Sequence, residues 1–142
     1  MLVNLKIKKL HPDAILPQYS LPGDAGLDLS SIANITIPAK RRKSIRTGLA
    51  IVFPKGYCGL IWDRSGLAHK EGITTMGGVF EHTYRGEYII ALYNTGTKPY
   101  RIKKGQRIAQ LLIQPIATGK IIQVKKLSTT TRGSKAFGST GK

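Results

Sequence analysis

The sequence predicts an all-β domain, and three observations carry that prediction. Short apolar or alternating runs recur along the chain, turn residues separate them, and sixteen glycines with seven prolines leave few windows for helical periodicity. The runs fall at residues 2–7, 35–37, 49–53, 57–62, 88–93, 108–113 and 121–127, each of strand length. Their separators include Pro54-Lys55-Gly56, Asn94-Thr95-Gly96 and Lys104-Gly105, which supply a preset or positive φ at tight reversals. One short helix is expected at residues 65–71, where Ser65 is placed to cap it. Many short strands in one domain give a sandwich, a barrel or a jelly roll. From Ser128 onward the chain turns to Ser, Thr, Gly and Lys, with Phe137 as its one large apolar residue. Residues 1–127 are therefore expected to form the folded domain and residues 128–142 a flexible C-terminal arm.

A chain of 142 residues suits one core rather than two. No apolar run approaches the roughly 20 residues that span a bilayer, so no membrane association is expected. Residues 1–10 lack the apolar stretch of a signal peptide, which points to a cytoplasmic setting. Cys58 is the single cysteine, which excludes an internal disulfide and a cysteine-based zinc site.

Twenty-three Lys and Arg against seven Asp and Glu give a formal charge of +16. Such a surplus fits nonspecific contact with nucleic acid through counterion release, or the steering of a triphosphate toward a site, and composition leaves both open. The acids are more informative. Asp24, Asp28, Asp63, Glu71, Glu81 and Glu87 crowd into the middle of the chain, each near a glycine. For Asp24 and Asp63 a turn or cap role is the simpler reading.

Several segments carry groups suited to phosphate chemistry. The tail RGSKAFGSTG (132–141) combines the Arg132 guanidinium, backbone exposed at Gly138, the hydroxyls of Ser139 and Thr140, and the Phe137 ring. It lacks the Lys before Ser/Thr and the following helix of a P-loop, and taken alone it reads equally well as a linker. In DRSGLAHKEG (63–72), Arg64 and Ser65 stand at a helix start, where free N–H groups favour an anion. GGVFEHTYRGE (77–87) looks like a hairpin leading into the strand at 88–93, with Glu81 and Tyr84 near its tip. A carboxylate there can activate water, and a phenol can pack on a sugar. His82 has no neighbouring histidine at ligand spacing, since His11 and His69 are the others. PGDAGLDL (22–29) places Asp28 where it could lie beside a hydrated divalent ion or cap a turn. KKGQRIAQ (103–110) places Gln110 where it could donate to a phosphate or face solvent from a strand.

Taken in order, PGDAGLDL, DRSGLAHKEGI, GGVFEHTYRGE, GQRIAQLLI and RGSKAFGSTG resemble the five ordered motifs of the trimeric dUTPase family, and they span the chain almost end to end. The resemblance implies a jelly-roll-like distorted β-barrel. It also implies a homotrimer whose active sites lie between subunits, each closed by a neighbour's tail. The implied reaction is hydrolysis of dUTP to dUMP and pyrophosphate, with Mg2+ held mainly by the substrate triphosphate. Carried over by motif, Glu81 activates the attacking water, and Asp28 acts on the ion indirectly through water. Arg64, Ser65, Gly66 and Gln110 bind the α- and β-phosphates, and Tyr84 stacks on deoxyribose. Gly78, Val79, Phe80 and Ile89 read uracil, Phe137 covers the base, and Arg132, Gly138, Ser139 and Thr140 hold the γ-phosphate.

The sequence departs from that pattern in four places. Glu81 stands for the usual Asp, and Asp63 for a common Pro. Gln106 stands for an acid, which predicts that Arg107 lacks an ion-pair partner, and Lys135-Ala136 takes the place of two glycines. The similar dCTP deaminases carry a catalytic glutamate in the strand after the third motif, whereas Ile89-Ile90-Ala91 has no carboxylate. The remaining alternative is a nucleotide- or nucleic-acid-binding relative with weak or lost hydrolysis.

Overall fold

The structure is a computed structural model that describes residues 2–138 and 141. The expected Ser139 and Thr140 contacts lie outside the described residues. Among those described, strands β1 (Lys6–Lys9), β2 (Gly26–Ser30), β3 (Ile35–Ile37), β4 (Arg42–Arg46), β5 (Leu49–Val52) and β6 (Tyr57–Trp62) precede helix α1 (Ser65–Glu71). Strands β7 (Ile73–Thr75), β8 (Val79–Phe80), β9 (Ile89–Asn94), β10 (Tyr100–Ile102) and β11 (Arg107–Pro115) follow it. They form a four-stranded sheet in the order β2-β11-β6-β8, a three-stranded sheet β4-β9-β7, and the pairs β1-β5 and β3-β10. All named pairings are antiparallel. The inward faces close over one core, centred on Leu29, Ile45, Ile51, Phe53, Ile90 and Leu111.

The period of two explains how the main sheet makes both a core and a site. In β2, Leu27 and Leu29 turn inward, so Asp28 between them faces out. On β11 a bulge between Arg107 and Ala109 resets the alternation. Arg107 and Gln110 are three residues apart and would otherwise sit on opposite faces. With the extra residue both reach the side occupied by Asp28, while Ile108, Ala109 and Leu111 remain buried. Gln110 stands opposite Asp28 on one side and Trp62 on the other.

Four expectations need correction. Residues 121–127 form no strand. The last strand ends at Pro115, and Ile121 is 97% exposed, because no edge within the chain pairs with this run. The first strand occupies Lys6–Lys9 rather than 2–7, since its register is fixed by pairing with β5, Lys6 opposite Val52 and Lys9 opposite Leu49. Residues 77–87 are not half of a local hairpin. β8 pairs with β6, and β9 pairs with β4 and β7, so the reversal between them crosses from one sheet to the other. Finally, Ser65 is the first residue of α1 rather than its cap; Arg64 takes the cap position in extended geometry, without a side-chain cap bond.

No helix among the described residues is long and apolar enough to cross a membrane.

Candidate functional site

Three adjacent strands bring the first, second and fourth motifs together. Arg64 follows β6 and turns back to Asp28 on β2, with its Nε 2.8 Å from Asp28 Oδ1. Arg107 Nη1 donates to Asp28 Oδ2 at 3.0 Å and to Ser20 Oγ at 2.8 Å, and Ser20 Oγ donates to the same carboxylate oxygen at 2.7 Å. Arg107 thus keeps an ion pair although Gln106 is not an acid, because its partner comes from across the sheet. The Gln106 side chain instead accepts from the Lys103 N–H and donates to the Tyr100 hydroxyl.

The Asp28 side chain is only 9% exposed, so its charge is compensated by two guanidinium groups rather than by water. Its role is therefore first to aim Arg64. Around this pair opens a cleft of about 300 Å3 lined by Ser20, Asp24, Gly26, Asp28, Arg64, Ser65, Gly66 and Gln110. Gly26 leaves room for Gln110 as it is placed, since a Cβ there would meet the Gln110 side-chain amide and come within 2.9 Å of its Cβ. Nothing lies within 4 Å of a Cβ added at Gly66, so its backbone is open to a ligand. Arg64, Ser65, Gly66, Gln110 and Asp28, expected from separate motifs, therefore share one polar cleft. Asp24 serves its turn as expected, accepting from the Leu21 N–H at 2.8 Å.

A second, smaller slot of about 70 Å3 is lined by Ile61, Thr75, Met76, Gly77, Gly78, Phe80 and Ile89 to Ala91. Gly78 holds a φ of +138°, and its carbonyl accepts from Ile61 N at 2.8 Å. A Cβ at Gly78 would press to 2.9 Å from the Ile61 carbonyl oxygen. Of the expected base-reading residues, Gly78, Phe80 and Ile89 line this slot. Val79 lines an adjoining hollow with Leu60 and Trp62.

Glu81 begins the reversal that follows β8 and is exposed. Beneath it Phe80 stacks on the fully buried Tyr88 at a centroid distance of 3.9 Å, and Tyr84 tilts against both rings. Burial pushes the Cys58 thiol up, and the nearby Glu81 carboxylate adds to the shift. The reversal is clamped at its base. The Tyr84 hydroxyl donates to the Glu87 carbonyl at 3.0 Å, and the Glu87 carboxylate accepts from Gly48 N at 2.8 Å and Arg46 Nε at 3.0 Å. Arg85 Nη1 donates to the carbonyls of His82 and Tyr84.

Glu81 and Tyr84 line neither the cleft nor the slot, and Arg132, Phe137 and Gly138 stay exposed on the arm. Sequence reasoning missed Ser20, Arg107 and Glu87 as supports of the site. The signal for Glu87 was present, since a carboxylate beside the reversal had few other uses in so basic a chain. The Arg107 contact depends on the β11 bulge, which sequence does not display.

A family model described as dUTPase matches residues 12–141. The chain is 45% identical over 138 residues to a deoxyuridine 5'-triphosphate nucleotidohydrolase of Paramecium bursaria Chlorella virus 1, covering 97% of this chain and 98% of the relative. It is 46% identical over 142 residues to the enzyme of that name from Nautilia profundicola, covering 99% of this chain and all of the relative. Among solved structures, a dUTPase variant of Staphylococcus bacteriophage 80alpha with bound dUpNHpp superposes at a TM-score of 0.92, with 31% identity over 97% of this chain and 98% of its own. A dUTPase of S. aureus phage phi11, in which a structural Mg(II) ion is coordinated, superposes at 0.83 with 25% identity, covering 89% of this chain and 99% of its own.

Proposed function

The chain belongs to the dUTPase family and hydrolyses dUTP to dUMP and pyrophosphate; we propose that it does so by magnesium-assisted attack of water at the α-phosphorus, limiting uracil in DNA and supplying dUMP. The observation that carries this reading is the cleft in which Arg64, Ser65, Gly66 and Gln110 converge on one polar space, with Arg64 aimed by Asp28. A fixed guanidinium, an amide and open backbone suit the oxygens of a polyphosphate. Glu81 takes the proton of the attacking water, and pyrophosphate leaves against the Arg64 guanidinium and the open backbone of the cleft.

The residues present fit an ion carried by the substrate. No cluster of three His, Cys, Asp or Glu side chains occurs among the described residues, so the triphosphate itself supplies most ligands. Asp28 accepts three hydrogen bonds, which leaves about one of a carboxylate's four lone-pair sites for a water of the ion's shell. Bound magnesium would neutralise phosphate charge and make the α-phosphorus more electrophilic.

The active unit is a homotrimer in this reading, with each site closed by a neighbour's arm. Support comes from the exposed apolar side chains Ile121, Ile122 and Leu127, which find no cover in their own chain. Residues 128–142 bring Arg132 and Gly138 to the γ-phosphate and Phe137 to the base. Among the described residues, ion pairs to acids engage Arg46, Arg64, Lys104 and Arg107. Many other cations thus remain available to steer a triphosphate.

Pyrophosphate release from dUTP, UTP, dCTP and dTTP tests the substrate assignment. With Tyr84 packed on the sugar, dUTP is expected to exceed UTP in kcat/KM by on the order of a hundredfold, and Tyr84→Ala is expected to erase most of that ratio. An unchanged ratio in Tyr84→Ala would remove Tyr84 from sugar selection.

A further inference from the structure

We infer that Asp63 is a positioning residue that holds the phosphate cleft and the apolar slot in one frame, an inference that rests on the reading above. Its backbone faces the cleft, and its side chain faces the strand that walls the slot. The residue directly follows β6 and precedes Arg64, Ser65 and Gly66, and its carbonyl accepts from Gln110 Nε2 at 2.7 Å. One residue thus fixes the chain that carries three cleft groups and anchors the side chain of the fourth.

The carboxylate points the other way, to β7. Oδ1 accepts from Thr75 N at 2.6 Å and from Thr75 Oγ1 at 2.7 Å, and Oδ2 accepts from Thr74 Oγ1 at 2.7 Å. Thr75 is itself a wall of the slot, and Met76, Gly77 and Gly78 continue that wall. Burial pushes the Asp63 carboxyl up, but the bonds from the Thr75 N–H and the two hydroxyls outweigh it and hold the carboxyl below its ordinary value. The ionised group is acceptor-only, so both hydroxyls point at it, and β7 is held from this side as well as by its pairing with β9. A turn residue would need none of these three bonds.

The test uses one probe for each pocket, tripolyphosphate for the cleft and deoxyuridine for the slot, with binding followed by ligand-observed NMR on the full chain. Asp63→Ala removes all three acceptor bonds and is expected to weaken both probes by about tenfold. Asp63→Asn keeps Oδ1 for Thr75 and lets the Thr74 hydroxyl rotate to accept, so it is expected to restore both affinities to within about threefold of the unaltered protein.

Thr75→Val guards against a failure of Asp63→Ala to fold. It deletes one bond inside the slot, yet is expected to weaken tripolyphosphate at the cleft by about threefold. A loss confined to one probe would overturn the frame. So would a lowered Tm with both affinities unchanged, or a Thr75→Val effect that stops at the slot. Hydrolysis of dUTP by the unaltered chain is measured alongside. Its failure would remove the parent reading without deciding the role of Asp63, which the two probes decide independently.

Discussion

Glu81→Gln is expected to lower kcat for dUTP by about a hundredfold to ten-thousandfold, the range over which a positioned base accelerates a proton transfer, with little change in KM. The substitution keeps the shape and a carbonyl acceptor but removes the ability to take a proton. Its surroundings do not depend on the charge. Glu81 is exposed, and the reversal that carries it is held elsewhere, by Glu87 on Arg46 and Gly48 and by the Phe80–Tyr88 stack. A folded Glu81→Gln variant that still binds dUpNHpp is therefore expected. Glu81→Asp separates two accounts of the longer side chain. If hydrolysis accelerates, the extra methylene places the base imperfectly; if it slows, the surrounding loop is built around glutamate. Full activity in Glu81→Gln would exclude this carboxylate as the base.

The second large effect is expected on mixing. Glu81→Gln retains the arm and lacks the base, whereas a chain truncated after Leu127 retains the base and lacks the arm. Each alone is expected to hydrolyse dUTP hardly at all. Co-refolded in equal amounts they are expected to regain a substantial fraction of the unaltered activity, because the proposed homotrimer, once mixed, would contain sites with an intact Glu81 under an arm from another chain. The motive is in the single chain. Its cleft gathers Arg64, Ser65, Gly66 and Gln110, its slot gathers Gly78, Phe80 and Ile89, and Glu81, Tyr84 and the arm residues line neither. Activity no greater than the sum of the separate variants would show that each arm closes over its own chain.

Much of the fold was legible because strand period and turn chemistry are local. Residues 35–37 and 57–62 and the helix at 65–71 fall where the apolar runs and glycines put them. β4 was not legible, since Arg-Lys-Ser-Ile-Arg buries only Ile45 and looks like a solvated charge run until β9 is beside it. β7 is three residues long, too short for a period to show. Residues 77–87 misled for a physical reason: alternation marks a strand but not its partner, and the partner of β8 is β6, about twenty residues away in sequence. The run at 121–127 has strand composition, yet a strand exists only when an edge accepts it.

The same divide applies to the site. Residue types at motif spacing pointed to Arg64, Gln110 and Asp28, and the structure brings them together. What could not be read was who supports whom. The bulge that lets Arg107 join Asp28 leaves no mark in composition. Asp63 carries the signature of an ordinary turn residue, because a carboxylate that caps a turn and one that ties two strands are the same residue until Thr74 and Thr75 are placed.

The most direct test of the account is hydrolysis of dUTP in water enriched in oxygen-18, with magnesium and the unaltered chain. One labelled oxygen is expected in dUMP for each turnover, and none in pyrophosphate, as attack at the α-phosphorus requires. Label in the pyrophosphate, or no hydrolysis, would contradict it.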